Sequence, residues 1–325
     1  MMRGMTEITH RSIDTNGIKM HIAEAGKGPL VVMCHGWPES WYSWRHQIVA
    51  LADAGFHAVA PDQRGYGQTD RPEPIDQYTQ FHMVGDIVGL LEALGEETAV
   101  IAGHDWGAPV AWNSAMMRPD IFRAVIGMSV PFGGARGVMR PTSMMKTVYG
   151  DNFFYILYFQ TPGVAEHEFQ KDVRRSLRTV LYSASGDAPV RAPEPRPKTI
   201  SFLDAMTDPT TLPPWLTEAD LDYFTGEFER AGFRGGLNWY RNIDRNWDLM
   251  GPWAGKKIEQ PALFIAGDRD GVITMSGGRE AVLAGLQKNV TDLKDVILLP
   301  GAGHWTQQER PAEVNAAMIS FLRGL

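Results

Sequence analysis

From Val100 to Trp112 the chain reads VIAGHDWGAPVAW. An apolar run reaches Gly103, and Gly103-His104-Asp105-Trp106-Gly107 then turns tightly into a stretch with helical character. That is the layout of a nucleophile elbow, G-x-S-x-G, with aspartate in the place of serine. Three readings of the carboxylate stand open: a dead substitute, an accident in a structural turn, or a nucleophile with its own chemistry.

The surrounding pattern says what kind of sheet the turn belongs to. IKMHIAEAG and PLVVMCHG read as strands, WRHQIVALADAG as a helix ending at a glycine, and HAVAPD as a further strand. MVGDIVGLLEALG follows as an amphipathic helix before the strand TAVIAG. Strands separated by helices predict a parallel sheet with right-handed crossovers, whose active groups gather at the carboxyl ends of the strands. His35, Asp62 and Asp105 stand at such ends.

The alternation breaks near Val130-Pro131-Phe132 and resumes with PALFIAGDRDG and VILLPGAGHW, and a helix, AEVNAAMISFL, closes the chain. Between lie helical pieces and the Pro-rich stretches APVRAPEPRPK and DPTTLPPW. The expected fold class is α/β: a mostly parallel central sheet flanked by helices, with an inserted helical cap. Its boundaries are 1–131 and 248–325 for the core and 132–247 for the cap. A cap over a parallel sheet encloses a pocket at the strand ends.

Composition removes several alternatives. A formal net charge of −7 leaves no basic stripe for a nucleic-acid partner. The single cysteine, Cys34, excludes an internal disulfide and a Cys-based zinc site, and reads as a small buried hydrophobe. MMRGMTEITHRS has no apolar core of signal-peptide length, and no apolar run approaches the roughly 20 residues of a membrane helix. The expectation is a soluble, cytoplasmic protein.

Partners for the elbow follow in the chain order nucleophile, acid, histidine. Asp270 comes just after the strand ALFIAG, and His304 just after VILLPGAG. Alone, such an aspartate is a turn former and such a histidine is structural; together at strand ends they form a constellation. An aspartate is already anionic and needs no base, so its natural target is an electrophilic sp³ carbon, attacked to form an alkyl ester. His304 is then free to activate water against that ester, with Asp270 orienting the imidazole. The backbone N–H groups of Trp106 and of Trp37, in His35-Gly36-Trp37-Pro38, are the candidate oxyanion donors. Glu39 is a weaker candidate, able to orient a water, whereas His104 is expected to point away and the DQRGYG loop to act as a turn scaffold.

At these residues the chain resembles the soluble epoxide hydrolases of the α/β-hydrolase fold. The matching stretches are HGWPESWYSWRHQ, DQRGYGQTD, GHDWGAPVAW, YILYFQTPGVAE, GFRGGLNWYRNIDRNW, GDRDGV and GHWTQQE. The resemblance implies two cap tyrosines that hydrogen-bond the epoxide oxygen and protonate it as the ring opens. They map onto Tyr155, in YILYFQ, and Tyr240, in NWYRN, with Tyr158 one helical turn away as the residue most easily mistaken for the first. A phenol stays protonated at neutral pH and can donate to an alkoxide.

Trp37, Trp106, Tyr155, Tyr240 and Trp305 are assigned to the pocket wall, the partner is a small lipophilic epoxide, and a homodimer is left open. No metal or cofactor is implied, since HExxH, P-loop and dinucleotide motifs are absent and GDRDG lacks the later ligands of a calcium loop. The rivals are a haloalkane or haloacid dehalogenase, which needs halide-stabilising N–H donors rather than paired phenols, and a non-catalytic receptor of the same fold. A receptor has no reason to retain nucleophile, base and acid together.

Overall fold

The strongest apolar runs become the most deeply buried strands. The computed structural model describes residues 6–189 and 195–325. One sheet is built from β1 (Thr9–Thr15), β2 (Ile18–Ala25), β3 (Leu30–Cys34), β4 (His57–Pro61), β5 (Ala99–His104), β6 (Phe122–Met128), β7 (Ile258–Gly267) and β8 (Val290–Leu299). The strands lie in the order β1-β2-β4-β3-β5-β6-β7-β8. The β1–β2 and β2–β4 pairs are antiparallel, and every later pair is parallel. All residues of β3 and β5 are buried, as central strands covered on both faces must be.

Period-two alternation divides those strands between two cores. Val32, Cys34 and Ile101 face Ile87 and Leu90 of α2 (Gln80–Leu94) and Val110 and Trp112 of α3 (Gly107–Met117). Val31, Met33 and Val100 face the opposite layer, where α1 (Arg45–Asp53) contributes Ile48 and Leu51 and the last helix contributes Val314, Met318 and Leu322. Pattern alone left β1, β6 and the helix at Gly278–Asn289 unassigned. The reason is plain for two of them: β1 is an edge strand with mostly exposed residues, and the helix buries only Val282 and Leu286.

Between β6 and β7 the described residues form helices: α4 (Pro141–Tyr149), α5 (Tyr155–Tyr158), α6 (Val164–Gln170), α7 (Val173–Ser183), α8 (Glu218–Ala231), α9 (Arg234–Arg241) and α10 (Ile243–Leu249). Part of the Pro-rich stretch at 188–198, residues 190–194, lies outside the described residues. After β7 come α11 (Gly271–Met275) and α12 (Gly278–Asn289), and after β8 come α13 (Thr306–Glu309) and α14 (Pro311–Arg323). Among the described residues no helix is long and apolar enough to cross a membrane.

Helices α9 and α10 are fastened along the loop that follows β4. The Trp239 indole N–H donates to the Arg64 carbonyl at 3.1 Å, and Asn246 accepts from the Gln80 N–H at 2.9 Å. Gly235 meets the backbone of Gly65 so closely that a Cβ on either would collide with the other. This approach accounts for Gly235 in GFRGGLNWY, and the Trp37 and Tyr66 side chains, which a Cβ on Gly236 would strike, account for its neighbour.

Candidate active site

The chain leaves β5 at His104 and enters α3 at Gly107, so two residues must complete the turn. Asp105 does so with φ +50°, a left-handed conformation that costs a non-glycine residue about 1–3 kcal/mol. The flanking glycines permit it. A Cβ on Gly107 would strike the Cys34 carbonyl, and one on Gly103 would strike the carbonyl of Gly107. Strands β3 and β5 thus press directly on the elbow, and the Asp105 side chain stands at their carboxyl ends.

The HGWP loop closes over this carboxylate. The Trp37 N–H donates to Asp105 Oδ1 at 2.8 Å, and a Cβ on Gly36 would collide with the Asp105 side chain. Glu39 shapes that loop. Fully buried, it accepts from the Gly36 N–H at 3.1 Å, from His104 Nδ1 at 2.9 Å, and from the amides of Gln307 and Gln308 at 3.2 and 2.9 Å. Four protein donors therefore surround the carboxylate that pattern alone offered as a water-orienting group. Asp62 accepts from the N–H groups of Trp41 and Gln68 and pairs with His21, the scaffold role expected of its loop.

His304 stands between two carboxylates. Its Nε2 is 3.3 Å from Asp105 Oδ2, and its Nδ1 is 3.1 and 3.0 Å from the two oxygens of Asp270. Asp270 also caps α11 through the Val272 N–H at 2.8 Å, which holds its carboxylate still. The His304 carbonyl accepts from His104 Nε2 at 2.7 Å and from Ser129 Oγ at 2.9 Å. Glu309 accepts from the N–H groups of Gly303, Trp305 and Gly186, gripping the backbone on both sides of the histidine.

Sequence pattern brought Asp105, Asp270 and His304 together but assigned no role to Ser129 or Glu309. The signal for Glu309 was its place in GHWTQQE; Ser129 has none beyond following a strand.

Charge follows this geometry. Burial disfavours a protonated His304, yet Asp270 first and Asp105 after it outweigh that cost and raise the imidazole well above the usual histidine range. Burial likewise pushes the Asp105 carboxyl up, but His304, His104 and the Trp37 N–H hold it below its ordinary value. Around neutral pH the pair is carboxylate and imidazolium.

These groups open onto a cavity of about 550 Å³, lined by Asp105, Asp270, His304, Trp37 and Trp305, and by Tyr155, Val180, Phe202, Met206 and Tyr240 from the helical segment. The Tyr155 and Tyr240 rings meet edge to face, with centroids 6.0 Å apart. Burial, reinforced by the Asp105 charge, raises both phenols well above the usual tyrosine value, so each keeps its proton. Tyr158 takes another direction: its hydroxyl donates to Glu168 at 2.6 Å, away from this cavity. The Trp106 ring stands edge-on to Tyr240, with centroids 4.9 Å apart.

Comparison with known proteins identifies the family. Residues 29–194 match the α/β hydrolase fold family. Epoxide hydrolase A of Mycobacterium tuberculosis is 47% identical, the alignment covering 98% of this chain and 98% of that protein. Epoxide hydrolase 3 of Siraitia grosvenorii is 43% identical over 98% of this chain and 99% of its own. The crystal structure of epoxide hydrolase A from Mycobacterium thermoresistibile superposes with a TM-score of 0.92 at 47% identity, covering 98% of this chain and 99% of that one.

Proposed function

The chain belongs to the α/β hydrolase fold family and is an epoxide hydrolase, and we propose that it converts epoxides to vicinal diols through a covalent ester on Asp105. The observation that carries this reading is a single cavity shared by an anionic carboxylate and two protonated phenols. A carboxylate attacks carbon without prior deprotonation, and an opening epoxide needs an acid where its oxygen leaves.

In the first step Asp105 Oδ2 forms a bond to an epoxide carbon while the carbon–oxygen bond of the ring breaks. Its partner Oδ1 stays with the Trp37 N–H. Tyr155 and Tyr240 hold the departing oxygen, and one of them donates the proton that makes it a hydroxyl. The tyrosinate so formed regains a proton from the His304 imidazolium through solvent, which leaves that histidine neutral. In the second step neutral His304 takes a proton from water as the water oxygen adds to the ester carbonyl. The N–H groups of Trp37 and Trp106 stabilise the resulting oxyanion, and Asp270 stabilises the imidazolium. Collapse expels the diol alkoxide, which takes its proton from the His304 imidazolium. The Asp105 carboxyl passes its own proton back to the histidine, restoring carboxylate and imidazolium. Residues 132–247 act as the cap that supplies both phenols, and the aromatic wall suits a lipophilic epoxide.

A single turnover of excess enzyme in ¹⁸O-water with styrene oxide tests the route. The diol of that turnover should be largely unlabelled, because its new oxygen comes from Asp105, and the label should enter the protein. Labelled diol on the first turnover would mean direct attack by water and would end the ester mechanism.

A further inference from the structure

Glu168, on α6, joins two parts of the catalytic cavity wall that are otherwise separate. Its carboxylate accepts three hydrogen bonds: from the Tyr158 hydroxyl at 2.6 Å, the Phe202 N–H at 3.2 Å and the Leu203 N–H at 2.8 Å. The first bond reaches α5, whose four residues begin with Tyr155 and end with Tyr158. A helix of one turn cannot hold its own orientation, so outside contacts must set where the Tyr155 phenol points.

The other two bonds fix the start of a short turn at Leu203–Ala205. Phe202, Ala205, Met206 and Thr207 line the catalytic cavity from this segment, and its far end is tied by the Thr207 N–H to Ser183 Oγ at 2.9 Å. The Phe202 ring lies 6.2 Å from that of Tyr155 and 6.0 Å from that of Trp37. Glu168 itself does not face the substrate. It lines a second cavity of about 640 Å³ on the other side, together with Tyr158, Leu203 and Asp204.

We propose that Glu168 is a positioning residue that sets the Tyr155 phenol against the Phe202–Thr207 wall, and so governs both the rate of epoxide opening and the choice between enantiomers. The inference rests on Tyr155 acting as the proton donor described above. A carboxylate can accept all three donors at once. A glutamine has one acceptor oxygen, and its amide N–H groups would face a backbone N–H, so one anchor must release.

Rapid-quench kinetics with each enantiomer of styrene oxide, reading the ester by intact mass, test this in wild type, Glu168→Gln and Tyr158→Phe. Ester formation should slow about tenfold in Tyr158→Phe, which loses the tie to α5, while ester hydrolysis keeps its wild-type rate. The ratio of rates for the two enantiomers should shift by about threefold or more in Glu168→Gln, where a backbone N–H of the wall loses its acceptor, and stay near wild type in Tyr158→Phe. Unchanged ester formation in Tyr158→Phe, an unchanged ratio in Glu168→Gln, or equal slowing of both chemical steps overturns the proposal. If Glu168→Gln does not fold, Tyr158→Phe decides alone by whether ester formation slows and hydrolysis does not. Absence of any ester in the wild type overturns the Asp105 route and this inference with it, whereas ester in the wild type with indifferent variants overturns only the role of Glu168.

Discussion

The Trp37 N–H donates to Asp105 Oδ1 at 2.8 Å, which makes the two oxygens of one carboxylate unequal before any substrate arrives. Under the proposed route Oδ1 becomes the ester carbonyl oxygen, and Oδ2, 3.3 Å from His304 Nε2, is the oxygen that attacks carbon.

Asp105→Asn retains the shape of the side chain and removes its charge. Diol formation should fall by about a thousandfold or more, and the protein should gain no mass on incubation with styrene oxide. A retained burst of diol would show that another group attacks the epoxide.

His304→Gln should form the ester and fail to release it, giving an adduct of the protein plus one epoxide in the intact mass spectrum. A variant that neither accumulates adduct nor shows a burst would remove His304 from the hydrolytic step.

The same residue predicts a pH effect on stability. The folded protein raises the His304 pKa, so the associated stabilisation is complete below the unfolded value of about 6.5 and is lost as pH rises through the folded value. Asp105 is lowered, so its contribution is present above an unfolded value of about 3.9 and is lost as pH falls through the folded one. The wild-type Tm should therefore decline as pH rises above about 6.5 more steeply than that of His304→Gln. Parallel profiles would refute the ion pair.

Replacing Tyr155 or Tyr240 with phenylalanine should slow ester formation, each by roughly a hundredfold and the double variant by more, with hydrolysis of preformed ester little changed. Rapid-quench measurement of the ester distinguishes the steps. If the double variant alkylates at the wild-type rate, the acid lies elsewhere.

Gly36→Ala tests the closeness of the HGWP loop to the nucleophile, because the added methyl would overlap the Asp105 side chain. Relief requires the loop to retreat, which should cost about 1–3 kcal/mol of stability and lengthen the Trp37–Asp105 hydrogen bond. Denaturant unfolding and diol assays should both register it; unchanged values would mean the loop has room that the backbone geometry denies.

What could be read from sequence divides along a physical line. Asp105, Asp270 and His304 were legible because each follows an apolar strand, and strand ends in a parallel sheet converge on one edge. The strand runs at β3 and β5 were legible because burial on both faces leaves no polar residues to blur them. Glu39 and Glu309 were not assigned their anchoring roles. Whether a carboxylate turns inward depends on which distant N–H groups a loop meets, as with the Gly186 N–H that reaches Glu309 across 123 positions. The resemblance put Tyr155 ahead of its neighbour Tyr158, but nothing in the pattern gave the Tyr158 hydroxyl its partner, Glu168. The ring of Trp106, expected on the pocket wall, packs edge-on against the cavity-lining Tyr240.

The seat of His304 between Asp105 and Asp270 has a consequence for the order of events. While Asp105 is free, its charge helps keep the imidazole protonated and thus useless as a base. Converting that carboxylate to a neutral ester removes one of the two charges holding the proton, and the imidazole becomes easier to deprotonate. Under the proposed route, the first reaction arms the catalyst of the second. Water activation is timed by the appearance of the intermediate it must destroy, and an enzyme awaiting substrate keeps its base locked.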